Sequence, residues 1–341
     1  MPIGVGVVGY GYWGPNLVRN FALFEGAEVI AVCDKDLDRL ERAKAAYPYI
    51  ETLEDYQTLL AHPEVDAVAI ATAVATHYDL AKAALQAGKH VLIEKPITDD
   101  SRKALELVEL AARNERVLLV DHTFTYTGAV NKIRDLVQDG DVGDLLYYDS
   151  IRVNLGTFQH DVNVLWDLAV HDLSILLYIT DKRPTAVSAQ GTRAVPDNPE
   201  SVAYMSLFFS DDTIAHINVN WLAPVKVRQT LIGGSKKMIV FDDLHPSEKV
   251  RVYDKGVEFE HDPERVRQML VSYRSGDVWI PRVSQEEALQ TEVQEFVAAI
   301  EGGDTVRSTG RLGVEVVQLL EAATRSLEER GRAIELKVQE A

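Results

Sequence analysis

Cysteine is nearly absent: the 341 residues hold one, Cys33. A single thiol excludes an intrachain disulfide framework and a cysteine-built zinc site. No apolar run approaches the roughly 20 residues of a membrane span, and no charged-then-apolar leader opens the chain, so the expected compartment is the cytoplasm. Basic residues are scarce beside acidic ones, 35 against 53, for a formal charge of −18. That field repels nucleic acid and anionic membrane, and neither is expected as a partner. The nine histidines never take H-x-x-x-H spacing, and no metal site is expected. What remains is ordinary for a folded soluble chain, 46% hydrophobic and 26% charged. The length suits two domains of roughly 150 residues each.

The first third alternates two periodicities. Val5–Val8, Val29–Cys33, Val65–Ala71, His90–Ile93 and Val117–Val120 are short β-rich or wholly apolar runs. Helical patterns separate them, among them Leu37–Ala46, His77–Ala87 closed by Gly88, and Ser101–Asn114 with Ser101 as the expected N-cap. This βαβα rhythm predicts a parallel sheet with helices on both faces. Beyond about residue 123 the rhythm changes. A helix is expected over Val164–Ile179, then strands follow strands from Ala186 to Phe259, and Glu286–Leu327 is helical again with a break at Gly302-Gly303. Runs of strands imply hairpins and an α+β domain whose large sheet is mostly antiparallel. The expected domains are 1–123 and 124–341.

Gly9-Tyr10-Gly11-Tyr12-Trp13-Gly14 matches G-x-G-x-x-G, between a strand ending at Val8 and a helix opening at Pro15. Gly9 allows a tight turn, Gly11 the approach of a pyrophosphate, and Gly14 close helix–sheet packing. The helix N-terminus then offers amides and partial positive charge to the phosphates. Asp34 ends the second strand, 20 residues after Gly14. Its carboxylate suits an adenosine ribose and repels a 2′-phosphate, so NAD is expected before NADP; adjacent Lys35 softens that preference. Asp34 also suits capping the next turn. Tyr12 and Trp13 either wall the cofactor site or pack as core.

Glu94-Lys95-Pro96 follows the fourth strand, at the sheet edge where open α/β proteins bind ligands. Lys95 there suits polarising a reacting hydroxyl, or is a solvated surface lysine. Asp167 and His171 lie four apart in a helical pattern and share a face. Histidine is the natural general base near neutral pH, with a carboxylate to orient it. A structural pair, or Asp172 as the relevant acid, fits the same spacing.

Together, Gly9–Gly14, Asp34, Glu94-Lys95-Pro96 and Asp167-x-x-x-His171 resemble the Gfo/Idh/MocA oxidoreductases over most of the chain. The resemblance implies a Rossmann domain followed by a sheet-rich domain, with Lys95 and His171 catalytic and Asp167 assisting. It also implies dimers or tetramers formed through the open sheet. Cofactor contacts are expected from the glycine loop, Asp34, Thr72, His77, Glu94 and Lys95, and substrate contacts from Lys95, Arg152, Asn154, Asp167 and His171. His160 is a further candidate in a polar loop. Tyr10–Asn16 and Arg152–Gly156 look like a subgroup assigned as 3-dehydrogenases of UDP-sugars. The stretch His122-Thr123-Phe124-Thr125-Tyr126 departs from an Asn-Arg-Arg-Phe-like stretch frequent in the family. The expected activity is NAD-dependent oxidation of a secondary hydroxyl, at C3 of a nucleotide sugar, to a keto sugar. A free sugar or an inositol is the alternative substrate, and a non-catalytic NAD or sugar sensor the alternative class. The presence of Lys95, Asp167 and His171 together favours the enzyme.

Overall fold

In the computed structural model, residues 1–156, 162–254, 256–258, 272–274, 276–303 and 306–336 are described. The chain divides into two units, Met1–Thr127 with Glu286–Gln318, and Gly128–Gln285 with Leu319–Ala341. The first unit holds six parallel strands: β1 (Ile3–Val8), β2 (Ala27–Cys33), β3 (Glu51–Leu53), β4 (Ala67–Ile70), β5 (His90–Glu94) and β6 (Leu118–Asp121). Their spatial order is β3-β2-β1-β4-β5-β6. The order reverses between β1 and β4, the switch point beside which such sheets bind ligands at their carboxyl ends. β4 is buried at every position and β1 at all but its first, as continuous apolar runs require.

Helices α1 (Gly14–Leu23), α2 (Leu37–Ala46), α3 (Tyr56–Ala61), α4 (Val74–Gln86) and α5 (Ser101–Arg113) connect the strands. Asp36, Asp55 and Asp100 cap α2, α3 and α5 by accepting hydrogen bonds from first-turn amides. Ser101, expected as a cap, is instead the first helical residue of α5. The strand β3 and helix α3 were not expected, because an edge strand of three residues is too short to show a period.

The second unit is built on a nine-stranded sheet of β7 (Leu145–Leu155), β8 (Ala186–Thr192), β9 (Val202–Phe208), β10 (Ile214–Asn220), β11 (Leu222–Gly234), β12 (Met238–Asp242), β13 (Val250–Tyr253), β16 (Val278–Trp279) and β17 (Ile334–Glu335). Strands β14 (Gly256–Glu258) and β15 (Ser272–Arg274) pair separately. The order is β16-β13-β12-β11-β7-β10-β9-β8-β17. β7 and β10 run parallel while the other neighbours are antiparallel. Ala203, Met205 and Leu207 of β9 are buried, whereas Tyr204 and Phe208 between and beyond them are 49% and 38% exposed. The alternation gives one packed face and one open face bearing apolar side chains. Helices α6 (Gly128–Gln138) and α7 (Val170–Ile179) also belong to this unit, and the five residues before α7, Leu165–Ala169, form a π turn.

Helix α8 (Ala288–Ile300) belongs to the first unit, which differs from a cut after residue 123. The cause is apolar burial. Leu289, Val293, Phe296 and Val297 share a core with Leu17, Val18 and Phe21 of α1, and the Phe21 and Phe296 rings meet edge-on at 6.3 Å. The long helix α9 (Gly310–Glu328) passes from the first unit into the second after Gln318.

Candidate active site

The glycine turn joins β1 to α1 at the switch point. Gly9 adopts φ +90°, and a Cβ there would lie 2.5 Å from the Ala71 carbonyl oxygen, so only glycine fits. A Cβ on Gly14 would stand 2.0 Å from the Gly9 carbonyl oxygen, which holds the start of α1 against the turn. At Gly11 a Cβ would meet only the Arg39 guanidinium, at 3.6 Å, so the backbone faces open space. The first turn of α1 carries no acidic side chain and no capping side chain. An open glycine cradle below an uncompensated helix N-terminus fits a dinucleotide's pyrophosphate.

Asp34 follows β2 directly. Its carboxylate accepts hydrogen bonds from the Tyr10 amide at 2.7 Å and the Asp36 amide at 3.0 Å, with Arg39 Nη1 at 3.4 Å. Partial burial pushes its carboxyl up, but the two amides and Arg39 outweigh that and hold it below the usual range. Asp34 therefore does tie the next turn while remaining charged at the sheet edge. Tyr10 contributes its amide here, and its ring is buried in the α1 core. Tyr12 is 93% exposed. The Trp13 indole N–H donates to Asp121 Oδ2 at 2.5 Å, tying the glycine turn to the end of β6.

Two further strand ends complete this edge. Thr72, after β4, pairs its hydroxyl with Thr76 at 2.7 Å. His77 corrects an expectation: it is 1% exposed, and its ring lies between the Pro96 carbonyl at 2.9 Å and the Thr72 carbonyl at 3.1 Å. The neutral imidazole has one N–H to donate, so the buried ring is held between the ends of β4 and β5 by one carbonyl and packed against the other. Glu94 closes β5, and Lys95, half-buried, precedes Pro96 through a cis peptide bond. Beside it, His122 is wholly buried, and burial with the Lys95 charge pushes its imidazole down to about 3.

In the second unit Asp167 lies on the π turn and His171 in the first turn of α7; both are half-buried. A π turn is wider than an α turn and recurs at functional sites. Asp167 Oδ2 accepts a hydrogen bond from the Trp221 indole N–H at 2.9 Å, and Trp221 is 1% exposed. A fixed indole donor therefore orients the carboxylate four residues before His171. Trp221 sits between β10 and β11, 50 residues on from His171, and no local pattern marks it.

Arg152 departs from the expected substrate contact. It is 3% exposed on β7, with Nε 2.6 Å from Asp172 Oδ2 and Nη2 3.2 Å from Oδ1. Ser150 donates to the same carboxylate at 2.7 Å. Asp172 is thereby the buried tie between β7 and α7, one residue past His171. Asn154 is half-buried near the end of β7, and His160 lies outside the described residues. Among the described residues no cluster of His, Cys, Asp or Glu could hold a metal ion, and no helix is long and apolar enough to cross a membrane.

Known proteins resemble this chain in sequence and fold. Residues 3–122 match the oxidoreductase family with an NAD-binding Rossmann fold, and residues 130–240 match the Gfo/Idh/MocA C-terminal domain. The chain is similar to UDP-N-acetylglucosamine 3-dehydrogenase of Acidithiobacillus ferrooxidans, 29% identical over 92% of this chain and 93% of that one. A solved structure of that enzyme superposes with a TM-score of 0.80 at 25% identity, covering 96% of this chain and 99% of that one. It is also similar to dTDP-3,4-didehydro-2,6-dideoxy-alpha-D-glucose 3-reductase of Saccharopolyspora spinosa, 26% identical over 75% and 81% of the two chains. Myo-inositol 2-dehydrogenase of Thermotoga maritima is 23% identical over 98% of both. With both of its characteristic domains matched in order, the chain belongs to the Gfo/Idh/MocA family and is an oxidoreductase.

Proposed function

We propose that the protein is an NAD-dependent dehydrogenase that oxidises a secondary hydroxyl, at C3 of a nucleotide sugar, to a keto sugar. The observation carrying this reading is the ligand edge of the first unit, where the glycine cradle, charged Asp34 and Lys95 all follow strand ends beside the switch point. Two relatives named for chemistry at position 3 of nucleotide sugars support the substrate class. Bound NAD would supply the hydride acceptor. The amides of the glycine turn would hold its pyrophosphate, and Asp34 would accept hydrogen bonds from the adenosine ribose and repel a 2′-phosphate. His171 would take the hydroxyl proton, with Asp167 held by Trp221 to orient it. Lys95 would donate to the reacting oxygen and stabilise the charge developing there. Asn154 is retained as a substrate contact; Arg152, locked to Asp172, is not.

The open sheet face, with Tyr204, Phe208 and Ile214 each more than a third exposed, is proposed to pair with a second copy, giving a cytoplasmic dimer or tetramer. The test of function is a panel of UDP-sugars, dTDP-sugars, free sugars and inositols, followed by nicotinamide absorbance after any retained nucleotide is identified. Lys95→Ala and His171→Ala should each lower kcat by about 100-fold or more, the usual scale for general acid–base and oxyanion groups. Turnover within a few-fold of wild type would overturn the assigned roles. Turnover only on inositols would replace the substrate class, and bound NAD without turnover on any member would favour a sensor.

A further inference from the structure

A second pair of acidic side chains lies beneath the glycine turn, and none of the chemistry above uses it. Asp121, the last residue of β6, is 1% exposed, and Glu292 of α8 is 0% exposed. Asp121 receives the Trp13 indole N–H on one oxygen and the Thr123 hydroxyl on the other, both at 2.5 Å. Glu292 is placed differently. Among the described residues, neither of its oxygens receives a hydrogen bond from an N–H or hydroxyl group, and the side chain that it meets is the Asp121 carboxyl. Two buried carboxylates in contact repel, and each would carry a large desolvation penalty. One proton on Glu292 removes both problems, since its O–H then donates to Asp121, whose charge is already met by two donors.

We propose that Asp121 and Glu292 share a single proton, held on Glu292, and that the pair acts as a positioning device that fixes Trp13 and with it the phosphate-facing glycine turn. This rests on the reading of that turn as the NAD site. The surrounding charges agree with the assignment. Burial pushes both carboxyls up, but Thr123, Trp13 and Lys95 pull Asp121 back, whereas Asp121, Glu94 and Glu295 add to the rise at Glu292. Glu295 is itself paired with Arg307 at 2.9 Å, and the neighbouring His122 is neutral. Lys95 sits among the charges that act on Asp121, so the same pair helps set the electrostatics around the catalytic lysine.

The test uses the full chain, with NAD itself as titrant and the carboxyl groups read by infrared spectroscopy. Wild type should show the carbonyl stretch of a protonated carboxylic acid persisting above pH 7, and Glu292→Gln should abolish it. Trp13→Phe, Asp121→Asn and Glu292→Leu should each weaken NAD binding roughly tenfold, the scale of one hydrogen bond to a charged group. Glu292→Gln, whose amide N–H replaces the carboxyl O–H, should restore it to within about threefold. The double variant Trp13→Phe/Asp121→Asn should be no weaker than the poorer single variant, because both act through one hydrogen bond. Absence of the acid band at neutral pH, Glu292→Gln as weak as Glu292→Leu, or additive losses in the double variant would overturn the proposal. So would variants that lower Tm while leaving NAD affinity unchanged, which is the outcome of a merely structural role. Should Asp121→Asn fail to fold, Trp13→Phe and the two Glu292 variants still decide the matter. If wild type binds no NAD, the functional reading fails on its own, and the acid band still reports whether the proton is shared.

Discussion

Replacing Asp172 with asparagine separates two readings of the same helix. The residue is adjacent to His171, and on spacing alone it is as good an acid as Asp167. In the structure its side chain is 2% exposed, that of Arg152 is 4% exposed, and the two are joined by bonds of 2.6 and 3.2 Å. Ser150 adds a third bond at 2.7 Å. Asp172→Asn removes the charge and leaves a buried guanidinium without its counter-ion, which costs about 3–5 kcal/mol. Against a domain stability of about 5–15 kcal/mol that is a large fraction. Urea unfolding followed by circular dichroism should register it as a lower midpoint with an unchanged slope. Replacing both partners, Arg152→Met with Asp172→Leu, should recover most of the loss, because apolar groups of similar volume do not need a counter-charge. Below the unfolding transition, kcat of Asp172→Asn should stay within about tenfold of wild type. If Asp172→Asn instead lost less than about 1 kcal/mol while kcat fell 100-fold or more, Asp172 would be the working acid and its role as a structural tie would be wrong.

Other consequences follow from the first unit. Gly14→Ala puts a Cβ 2.0 Å from a backbone oxygen, so NAD affinity should fall at least tenfold and Tm should drop; calorimetry with and without NAD checks both. Removing the Asp34 carboxylate (Asp34→Ala) leaves Arg39, now 3.4 Å from Asp34, to meet a 2′-phosphate. The ratio of NADP to NAD affinity should rise tenfold or more, and an unchanged ratio would remove Asp34 from cofactor choice. His122 is neutral when folded and is pushed down to about 3 by burial and the Lys95 charge. In the unfolded chain it takes up a proton as pH falls through about 6.5. Its contribution to stability is therefore present above pH 6.5 and is lost by about 1.4 kcal/mol per pH unit below it, or about 2 kcal/mol by pH 5. The unfolding free energy of wild type relative to that of His122→Gln, from urea titrations, should fall by that amount from pH 7 to pH 5. Parallel pH profiles would show that His122 is not the group responsible.

Much of the first unit could be read from residue order. Wholly buried strands are continuous apolar runs, and the turn between β1 and α1 admits little but glycine, because Gly9 has positive φ and Gly14 touches backbone. Asp34 and the Glu94-Lys95 pair stand out because each comes directly after such a run. The strands β9 and β10 were equally visible as one β-rich run after another. These features are local: each depends on neighbours within a few positions, so the sequence by itself determined them.

The tertiary structure decided whatever depends on partners far apart in the chain. Trp13 and Asp121 are 108 residues apart, and Trp221 and Asp167 are 54 apart. No periodicity links them. His77 sits on a helix at the site edge in either reading, and only the two carbonyls flanking it show that its ring is already engaged. Arg152 alternates correctly for a strand, but only Asp172 across the gap to α7 reveals the guanidinium as buried. Glu292 looks like one more charged residue on an amphipathic helix. It is the burial of α8 against α1 that takes Glu292 out of water, and a carboxyl out of water must find a proton or a counter-charge.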